Sequence, residues 1–298
     1  MKDSKERSLG APGQRAAILS LLEDDDAATR SLVLARLLDL GASGLSEIEA
    51  LIPMAGPGVR RLLEGARDAA RERSQDARLR GRCGRIAVLA ELEDFCWLLA
   101  EWVRAPAKAG EARTLLDEWG RTVRGRLAPR MTDEAKLEVL RSVLARQEGF
   151  AGNRQDYYDP ENSLLDTAVL GRRGLPLTLA MVYMFVGARA GLPVIGVDAP
   201  GHFLARLGHL FFDPFEGGKV VGAPTLGELA AGLEPAQKAR LFVPAAYDGM
   251  ALRMVANLAH AFERREDMAQ ASRLGRVLDW LRHAQATGDA RSVGTGMS

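Results

Sequence analysis

The part of the chain that decides the fold is residues 194–221, which read VIGVDAPGHFLARLGHLFFDPFEGGKVV. Aliphatic, β-branched and aromatic residues dominate this segment, and Pro-Gly, Leu-Gly and Gly-Gly pairs interrupt it at short intervals. Short apolar runs bounded by turn residues are typical of strands joined by tight turns. We therefore predict a small antiparallel sheet with strands near 194–197, 202–207 and 209–215, and a last short strand at 219–221.

Helical patterns surround this segment on both sides. Apolar residues recur at spacings of three and four through 14–126, from 137 to 144 and from 247 to 283. A further helix is predicted from Pro176 to Ala190, because proline is favoured in a helix's first turn and Gly191 follows the last residue. The apolar run 175–186 is too short to span a bilayer, so we expect a buried helix there. The fold class predicted is α+β and predominantly helical.

Five regions are predicted along the chain. Residues 1–13 and 286–298 are polar and glycine-containing, which favours disordered tails. Residues 14–130 form a helical region whose pattern Ile18, Leu21, Leu22, Arg30 recurs thirty positions later as Ile48, Leu51, Ile52, Arg60, which indicates HEAT-like repeats. Residues 131–225 form the core that holds the sheet. Residues 226–285 return to helices, including 235–241, and the last two are predicted to form a TPR-like pair.

Composition excludes several classes of protein. The 298 residues carry 40 Lys plus Arg against 39 Asp plus Glu, so a net charge of +1 gives no overall attraction to nucleic acid or anionic membrane. Two cysteines provide no disulfide framework and suit a reducing cytoplasm. The charged start of the chain is not followed by an apolar core, so we expect no signal peptide. The high Arg and Ala content suggests a bacterial source.

One pair of residues in the sheet could take part in catalysis. If Leu207-Gly208 is a two-residue loop, Arg206 opposes His209 and His202 opposes Asp213. Opposed residues place their Cβ atoms about 4.5–5.5 Å apart, close enough for a His–Asp hydrogen bond. The carboxylate would then fix the imidazole tautomer and leave the other ring nitrogen free to act. A His–Asp pair is also a common structural pair, and a one-residue shift of the loop would separate the two side chains.

Several ordered sequence blocks carry a resemblance to a known family. They are Gly149-Phe150-Ala151-Gly152-Asn153, Asp156-Tyr157-Tyr158-Asp159-Pro160, Asn162-Ser163, Arg172-Arg173-Gly174-Leu175-Pro176-Leu177-Thr178-Leu179, Arg189-Ala190-Gly191-Leu192-Pro193, Pro200-Gly201-His202-Phe203-Leu204 and Asp213-Pro214-Phe215-Glu216-Gly217-Gly218. With these blocks, residues from about 137 to 221 resemble the SirB-type branch of the transglutaminase-like superfamily. The resemblance implies a papain-like core in which a Cys opens a helix and a His and an Asp follow on neighbouring strands.

His202 and Asp213 match the His and Asp that this resemblance implies, but the Cys is missing. The helix that should begin with it is Pro176 to Ala190, which places the nucleophile position at or beside Pro176. No Cys occurs from 97 to 298. Because proline has no nucleophilic atom, we expect a residual dyad without its nucleophile.

The other residues that could act as nucleophiles also have structural explanations. Thr178 lies in the first turn of that helix, where a hydroxyl commonly satisfies a backbone group, and Asn162 or Ser163 is predicted to cap a short helix through Leu170. Cys96 lies in an apolar run and is expected in the core, while Cys83 lies among arginines that suit a solvated helix face or a thiolate.

A loop with two tyrosines is the candidate binding surface. Tyr157, Tyr158 and Asn162, with Ser163 and Thr178, are predicted to line a cleft beside His202, although a rigid loop packed on the sheet explains the same residues. Arg172 and Arg173 are expected in surface ion pairs. We expect no metal site, since His202 and His209 lack the neighbours of a zinc site, and no cofactor.

Three hypotheses follow. The first is a non-catalytic protein-binding or regulatory module whose partner is an unknown protein. The alternative is a hydrolase or acyl-transferase that uses a hydroxyl or a water activated by His202. The third is a structural scaffold in which the His–Asp pair is buried without a pocket.

Overall fold

The computed structural model describes residues 12–104, 107–199, 202–231, 233–234, 238 and 243–294. Helices dominate, and one small four-stranded antiparallel sheet accompanies them, which confirms the predicted α+β class. The chain divides into two compact units, Met1–Arg78 and Leu79–Ser298. The predicted helix at 235–241, the Pro200-Gly201 turn and most of the predicted N-terminal tail lie outside the described residues.

The first unit is helical throughout its described part. Its helices are α1 (Pro12–Glu23), α2 (Ala27–Asp39), α3 (Ala42–Leu51) and α4 (Pro57–Cys83), the last of which contains the boundary between the units, with a short 3₁₀ helix at Ile52–Met54. The starts of α1 and α2 recur thirty positions later as the starts of α3 and α4, in step with the sequence echo. Leu22, Leu37, Ile48, Leu51 and Leu63 form the centre of its core. A HEAT-type assignment stays a prediction.

The second unit contains the remaining helices of the described residues. They are α5 (Leu89–Val103), α6 (Ala109–Arg126), α7 (Asp133–Arg141), α8 (Leu165–Gly171), α9 (Pro176–Ala190), α10 (Ala223–Ala230), α11 (Tyr247–Arg264) and α12 (Met268–Gly294). A π-helical turn, Ser142–Gln147, continues α7, and 3₁₀ turns occupy Pro160–Ser163 and Pro214–Glu216. The Thr132 hydroxyl accepts from the Ala135 N–H at 3.3 Å and caps α7. α12 extends beyond the predicted helix end at His283.

Helix α9 is the central element of this unit. Pro176 occupies its first turn, and Gly191 ends it in a left-handed conformation with φ of +80°. All residues from Pro176 to Gly187 are buried, so the helix presents no polar face to solvent. The prediction of a buried helix is confirmed, and the start of α9 is fixed by packing on every side.

The sheet has the order β3-β4-β5-β6. Its strands are β3 (Val194–Ala199), β4 (His202–Leu207), β5 (Leu210–Asp213) and β6 (Lys219–Val220), and all neighbours are antiparallel. Two short strands outside this sheet, β1 (Ala151–Gly152) and β2 (Arg173–Gly174), pair in parallel. This second pairing joins two of the sequence blocks that carried the family resemblance.

The register assumed for the β4–β5 hairpin was wrong. Leu207 pairs with Leu210 and Ala205 with Phe212, so the loop is Gly208-His209 rather than Leu207-Gly208. Gly208 has φ of +58°, which suits the first central position of a two-residue turn, and this moves the turn one residue along the chain. The residue of β5 that lies opposite a given residue of β4 is therefore two positions later in the chain than predicted. A shift of two keeps every side chain on its face of the sheet, because side chains alternate with a period of two.

No helix among the described residues is long and apolar enough to cross a membrane.

Candidate functional site

The centre of the candidate site is the contact between His202 and Asp213. His202 Nε2 lies 2.7 Å from Asp213 Oδ2. His202 is the first residue of β4 and Asp213 the last of β5, and the observed register makes them diagonal neighbours rather than an opposed pair. Diagonal residues share a face and are within reach of long side chains. The predicted contact between His202 and Asp213 therefore forms, although the strand register differs from the predicted one.

The Asp213 carboxylate is held at both oxygens. Its Oδ1 accepts a hydrogen bond from the Phe215 backbone N–H at 2.8 Å, while Oδ2 faces the imidazole. An ionised carboxylate only accepts hydrogen bonds, so Nε2 of His202 carries the proton that joins the pair. Nδ1 is then the ring nitrogen left for a ligand. The side chain of His202 is 26% exposed and that of Asp213 12%, so the imidazole forms the accessible end of the pair.

A buried tyrosine lies behind Asp213. The Tyr183 hydroxyl has no hydrogen-bond partner among the described residues, and burial raises the pKa of Tyr183 above its ordinary value. A Cβ on Gly218 would lie 3.2 Å from this hydroxyl and 2.8 Å from Arg141 Cγ. Gly218 has φ of +73°, and its N–H donates to the Asp213 carbonyl at 2.8 Å. The Gly-Gly turn thus fits tightly between α9, α7 and the backbone of Asp213.

Helix α11 fixes the start of β4. Arg253 Nη2 donates to the His202 carbonyl oxygen at 3.2 Å, and Nη1 of the same guanidinium binds the Asp198 carboxylate. The guanidinium also lies over the Phe203 ring, 5.4 Å from its centre. These contacts hold the backbone of His202 from the side opposite to Asp213's strand and reduce its freedom.

A row of aromatic rings leads away from His202. The ring centres of His202 and Phe215 are 6.3 Å apart, those of Phe215 and Tyr157 6.2 Å, those of Tyr157 and Tyr158 5.3 Å, and those of Tyr158 and His260 5.9 Å. Phe215 is buried, whereas the two tyrosines are 40% and 44% exposed. We call these five residues the aromatic row.

Sequence reasoning named the two tyrosines of the row and missed Phe215 and His260. Phe215 lies two residues after Asp213 in the chain, and this proximity was a usable signal. His260 lies on α11, far away in sequence, and nothing local pointed to it. A Cβ on Gly152 would lie 2.3 Å from the Phe215 ring, so the close packing of β1 against this ring requires a glycine at 152.

The position expected for a nucleophile holds none. Pro176 opens α9 and is buried, and Thr178 is 1% exposed. Ser163 is also 1% exposed, and its Oγ has no hydrogen-bond partner among the described residues. Its predicted capping role was wrong, because Leu164 occupies the N-cap of α8 and no side chain caps that helix.

Neither cysteine presents an accessible thiol. Cys83 is 4% exposed, and burial raises its pKa to about 12. Cys96 has no exposed surface, and burial raises its pKa above the ordinary thiol value. Cys96 Sγ packs 3.8 Å from Met181 Sδ and 3.7 Å from Met254 Sδ. Cys96 therefore lies in the core, as its apolar surroundings in the sequence predicted.

The fold that positions the His–Asp pair matches a known family. Residues 110–256 match the transglutaminase-like superfamily. This transglutaminase-like region contains α9, the whole sheet and both members of the His–Asp pair. The comparisons therefore support the superfamily that the sequence resembled.

The chain also matches several curated proteins. The chain is 34% identical over 148 residues to a UPF0162 protein of Xylella fastidiosa, which covers 46% of this chain and 53% of the relative. It is 28% identical over 99 residues to a UPF0162 protein of Vibrio cholerae, which covers 32% and 36%. It is 34% identical over 70 residues to human F-box only protein 21, which covers 24% and 11%. The chain thus spans about half the length, or less, of these relatives. No solved structure gives a significant match.

Asn162 supports the loop of the transglutaminase-like region that carries the tyrosines. Its Nδ2 donates to the carbonyls of Asp156 at 2.7 Å and Tyr157 at 3.1 Å, and its Oδ1 accepts from Asn153 Nδ2 at 2.9 Å. Asn162 is 3% exposed, so it holds the loop from beneath. This agrees with the interpretation of the loop as a rigid, packed segment.

A separate cleft of about 530 Å³ lies next to this loop. Arg104, Lys108, Asn162, Thr167 and Arg173 are among the residues that line it, and neither His202 nor Asp213 is. Arg104 Nη2 donates to the fully buried Asp166 at 3.0 Å, and its Nη1 contacts Glu161. The charge of Arg104 at this cleft is therefore neutralised by contacts within the protein.

Two further predictions concern charged groups. Arg172 pairs with Glu148 at 3.2 Å, and Arg173 donates to the Gly149 carbonyl at 2.7 Å, so only the first forms the expected ion pair. Within the described ranges, no group of three or more His, Cys, Asp or Glu side chains is arranged to hold a metal ion.

Proposed function

We propose that this chain is a non-catalytic recognition module of the SirB-type transglutaminase-like branch, which binds a protein partner at the surface around His202 and Asp213. The observation that carries the proposal is that Pro176 opens α9, the helix at whose start the family resemblance leads us to expect the nucleophile. A proline there supplies neither a nucleophilic atom nor a backbone N–H for an oxyanion. The acyl-transfer chemistry of a papain-like triad requires both a thiolate and such donors.

The buried thiols support the same proposal. A cysteine nucleophile acts as thiolate and must meet its substrate. Cys83 and Cys96 are both buried, and their pKa values are raised by that burial. At neutral pH both remain protonated, and neither offers a surface to a substrate.

The alternative, hydrolysis through a hydroxyl, has weaker support. Thr178 and Ser163 are each 1% exposed, so a substrate carbonyl would have to displace core side chains to reach either oxygen. A water held by Nδ1 of His202 is the variant that the geometry favours most, since the imidazole is partly exposed and its carboxylate partner is in place.

Recognition agrees with the exposed surroundings of the pair. Tyrosine side chains present large, rigid contact area, and they are enriched where proteins bind partners. Tyr157 and Tyr158 meet this description and adjoin the His–Asp pair through Phe215. The HEAT-like and TPR-like helices, the regulatory role and a cytoplasmic location belong to the proposal as well.

The experiment is an activity comparison on the full chain. Incorporation of fluorescent cadaverine into dimethylcasein and hydrolysis of labelled casein are measured for the wild type, His202→Ala and His283→Ala. The last replaces an exposed histidine of α12 and serves as the matched control. We expect no turnover that depends on His202. Turnover that falls tenfold or more in His202→Ala, and not in His283→Ala, would refute the proposal.

A further inference from the structure

The cleft beside the tyrosine loop has the features of a second binding site. We infer that it binds a small zwitterion with a free ammonium and a free carboxylate group, which is the chemistry of a free amino acid or a short peptide. Neither His202 nor Asp213 lines the cleft, so this inference is independent of the proposed function.

Several segments of the second unit come together at the cleft. Arg104 and Lys108 lie between α5 and α6, and Arg173 lies on β2. Asp159 and Glu161 belong to the tyrosine loop and the 3₁₀ turn that follows it. The volume of about 530 Å³ falls within the range of roughly 300–1,000 Å³ that is usual for small-molecule sites. The cleft therefore has the size to hold a small molecule.

The carboxylates of the cleft share their arginine partners with other carboxylates. Arg104 contacts both Asp166 and Glu161 at 3.0 Å. Asp166 is fully buried and requires this positive charge, whereas the Glu161 side chain is 44% exposed. Asp159 likewise shares Arg265 with a further carboxylate. Because each arginine serves two carboxylates, Asp159 and Glu161 retain negative charge that a ligand ammonium group can neutralise.

Two cations of the cleft have no carboxylate partner among the described residues. The Lys108 ammonium group makes no ion pair within the described ranges, and the Arg173 guanidinium donates to the backbone carbonyls of Gly149 at 2.7 Å and Arg172 at 2.9 Å. Both cationic side chains are exposed. Charge-assisted hydrogen bonds from such groups to a carboxylate are strong, so Lys108 and Arg173 can bind the carboxylate of a ligand.

The balance of charge favours a ligand that carries both signs. Once each shared arginine is assigned to its other carboxylate, Asp159 and Glu161 remain as the negative groups of the cleft. Lys108 and Arg173 remain as the positive groups. These groups cancel, so neither a simple anion nor a simple cation complements the cleft. A zwitterion carries an ammonium and a carboxylate in one neutral molecule and complements both pairs.

A nucleotide or a phosphate ester fits the same lining less well. No aromatic side chain lines the cleft in the part of the chain that the structure describes, so a base would have no ring on which to stack. Asp159 and Glu161 would also repel phosphate oxygens, since like charges close together disfavour each other. The lining therefore favours an amino acid or a short peptide over a phosphate-bearing ligand.

Thermal shift and calorimetry on the full chain test the ligand class, because a ligand of the native state raises the melting temperature. The probes are the free proteinogenic L-amino acids and the dipeptides glycyl-leucine and alanyl-alanine, with inorganic phosphate and AMP for comparison. N-acetylated and C-amidated forms of each hit remove one charge at a time. We expect at least one amino acid or dipeptide to bind, and both blocked forms to bind at least tenfold more weakly.

The two probe sets distinguish free amino acids from peptides as the source of the zwitterion. If no amino acid or dipeptide binds, or a blocked form binds as tightly as the free form, the inference is overturned. Tighter binding of phosphate or AMP than of every zwitterion would overturn it as well. Binding should be unchanged in His202→Ala, so failure of this inference leaves the proposed function standing, and the reverse also holds.

Charge variants assign each end of the ligand. Lys108→Met should reduce the preference for the free over the amidated ligand at least threefold, because the carboxylate loses a cation. Glu161→Gln should reduce the preference for the free over the acetylated ligand in the same way. Lys219→Met and Glu118→Gln, at exposed residues outside the cleft, are the matched controls. Preferences that stay unchanged in both cleft variants, or change equally in the controls, would contradict the assignment.

A variant that fills the cleft locates the site. Gly171 lines the cleft, and a Cβ there would meet nothing within 4 Å, so a larger side chain can occupy the cleft without displacing the protein's own atoms. Gly171→Phe should therefore weaken ligand binding at least tenfold. Gly125→Phe is the matched control, because a Cβ at Gly125 also meets nothing within 4 Å and this residue lies outside the cleft. Ligand binding that is equal in the two variants would overturn the inference.

Discussion

His202 and Asp213 meet across a diagonal of the hairpin, with Nε2 2.7 Å from Oδ2, although Asp213 is displaced by two residues from the position opposite His202. The contact depends on the Asp213 side chain reaching along the sheet, and the backbone bond from Phe215 holds it there. The Gly-Gly turn that follows, packed against Tyr183 and Arg141, fixes the strand end that carries the carboxylate. The geometry of the pair is therefore set by the turn as much as by the sheet.

Gly218→Ala should destabilise the protein by about 2–4 kcal/mol, because the residue has positive φ and its Cβ would lie 2.8 Å from Arg141 Cγ. The measurement is urea unfolding followed by circular dichroism. Gly125→Ala is the control, since nothing lies within 4 Å of a Cβ there and alanine favours its helix. Equal stability of the two variants would show that the turn does not constrain the site.

Asn162→Ala should cost about 1–3 kcal/mol of unfolding free energy, since the carbonyls of Asp156 and Tyr157 lose a donor. It should also raise amide exchange in the tyrosine loop. Asn257→Ala on α11 provides the comparison and should change stability by less than about 0.5 kcal/mol. A stable Asn162→Ala protein with an unchanged loop would contradict the supporting role given to Asn162.

Arg104→Met should destabilise by about 3–5 kcal/mol, because it leaves the carboxylate of the fully buried Asp166 without its charged partner. Arg113→Met removes an exposed arginine that pairs with Asp94 at 3.5 Å, and it should cost less than about 1 kcal/mol. Both are measured by urea unfolding. A similar cost for the two variants would mean that Asp166 is not stabilised by Arg104.

The two thiols should react with Ellman's reagent at pH 8 only after unfolding, because both are buried and protonated in the native state. The raised pKa also gives stability a pH dependence. Above about pH 8.5 the unfolded chain releases thiol protons that the folded chain keeps, so stability falls as pH rises towards about 12, the pKa of folded Cys83. Cys83→Ala should reduce this fall. Rapid native reaction of either thiol would contradict the burial.

Much of the fold followed from local signals in the sequence. Pro176 and Gly191 bracket α9 as predicted, and Thr132 caps α7. The hairpin register did not follow, because Leu207-Gly208 and Gly208-His209 both satisfy the preference for a glycine in the loop. The observed pairing of Leu207 with Leu210 decides between them and places Gly208, with its positive φ, at the first central position.

The aromatic row was only partly predictable. Tyr157 and Tyr158 stood out as aromatic residues in a polar loop, but their partners come from β5's end and from α11. Contacts between distant segments depend on how helices pack, and periodicity in one segment does not report them.

The most direct test of the central claim is mass spectrometry of casein incubated with methylamine and either the wild-type chain or His202→Ala. One spectrum detects peptide-bond cleavage, glutamine deamidation and amine incorporation together. We predict identical product patterns for the two proteins, at the level of casein alone. Any of the three products formed by the wild type and lost in His202→Ala would contradict the account and establish a working catalytic site.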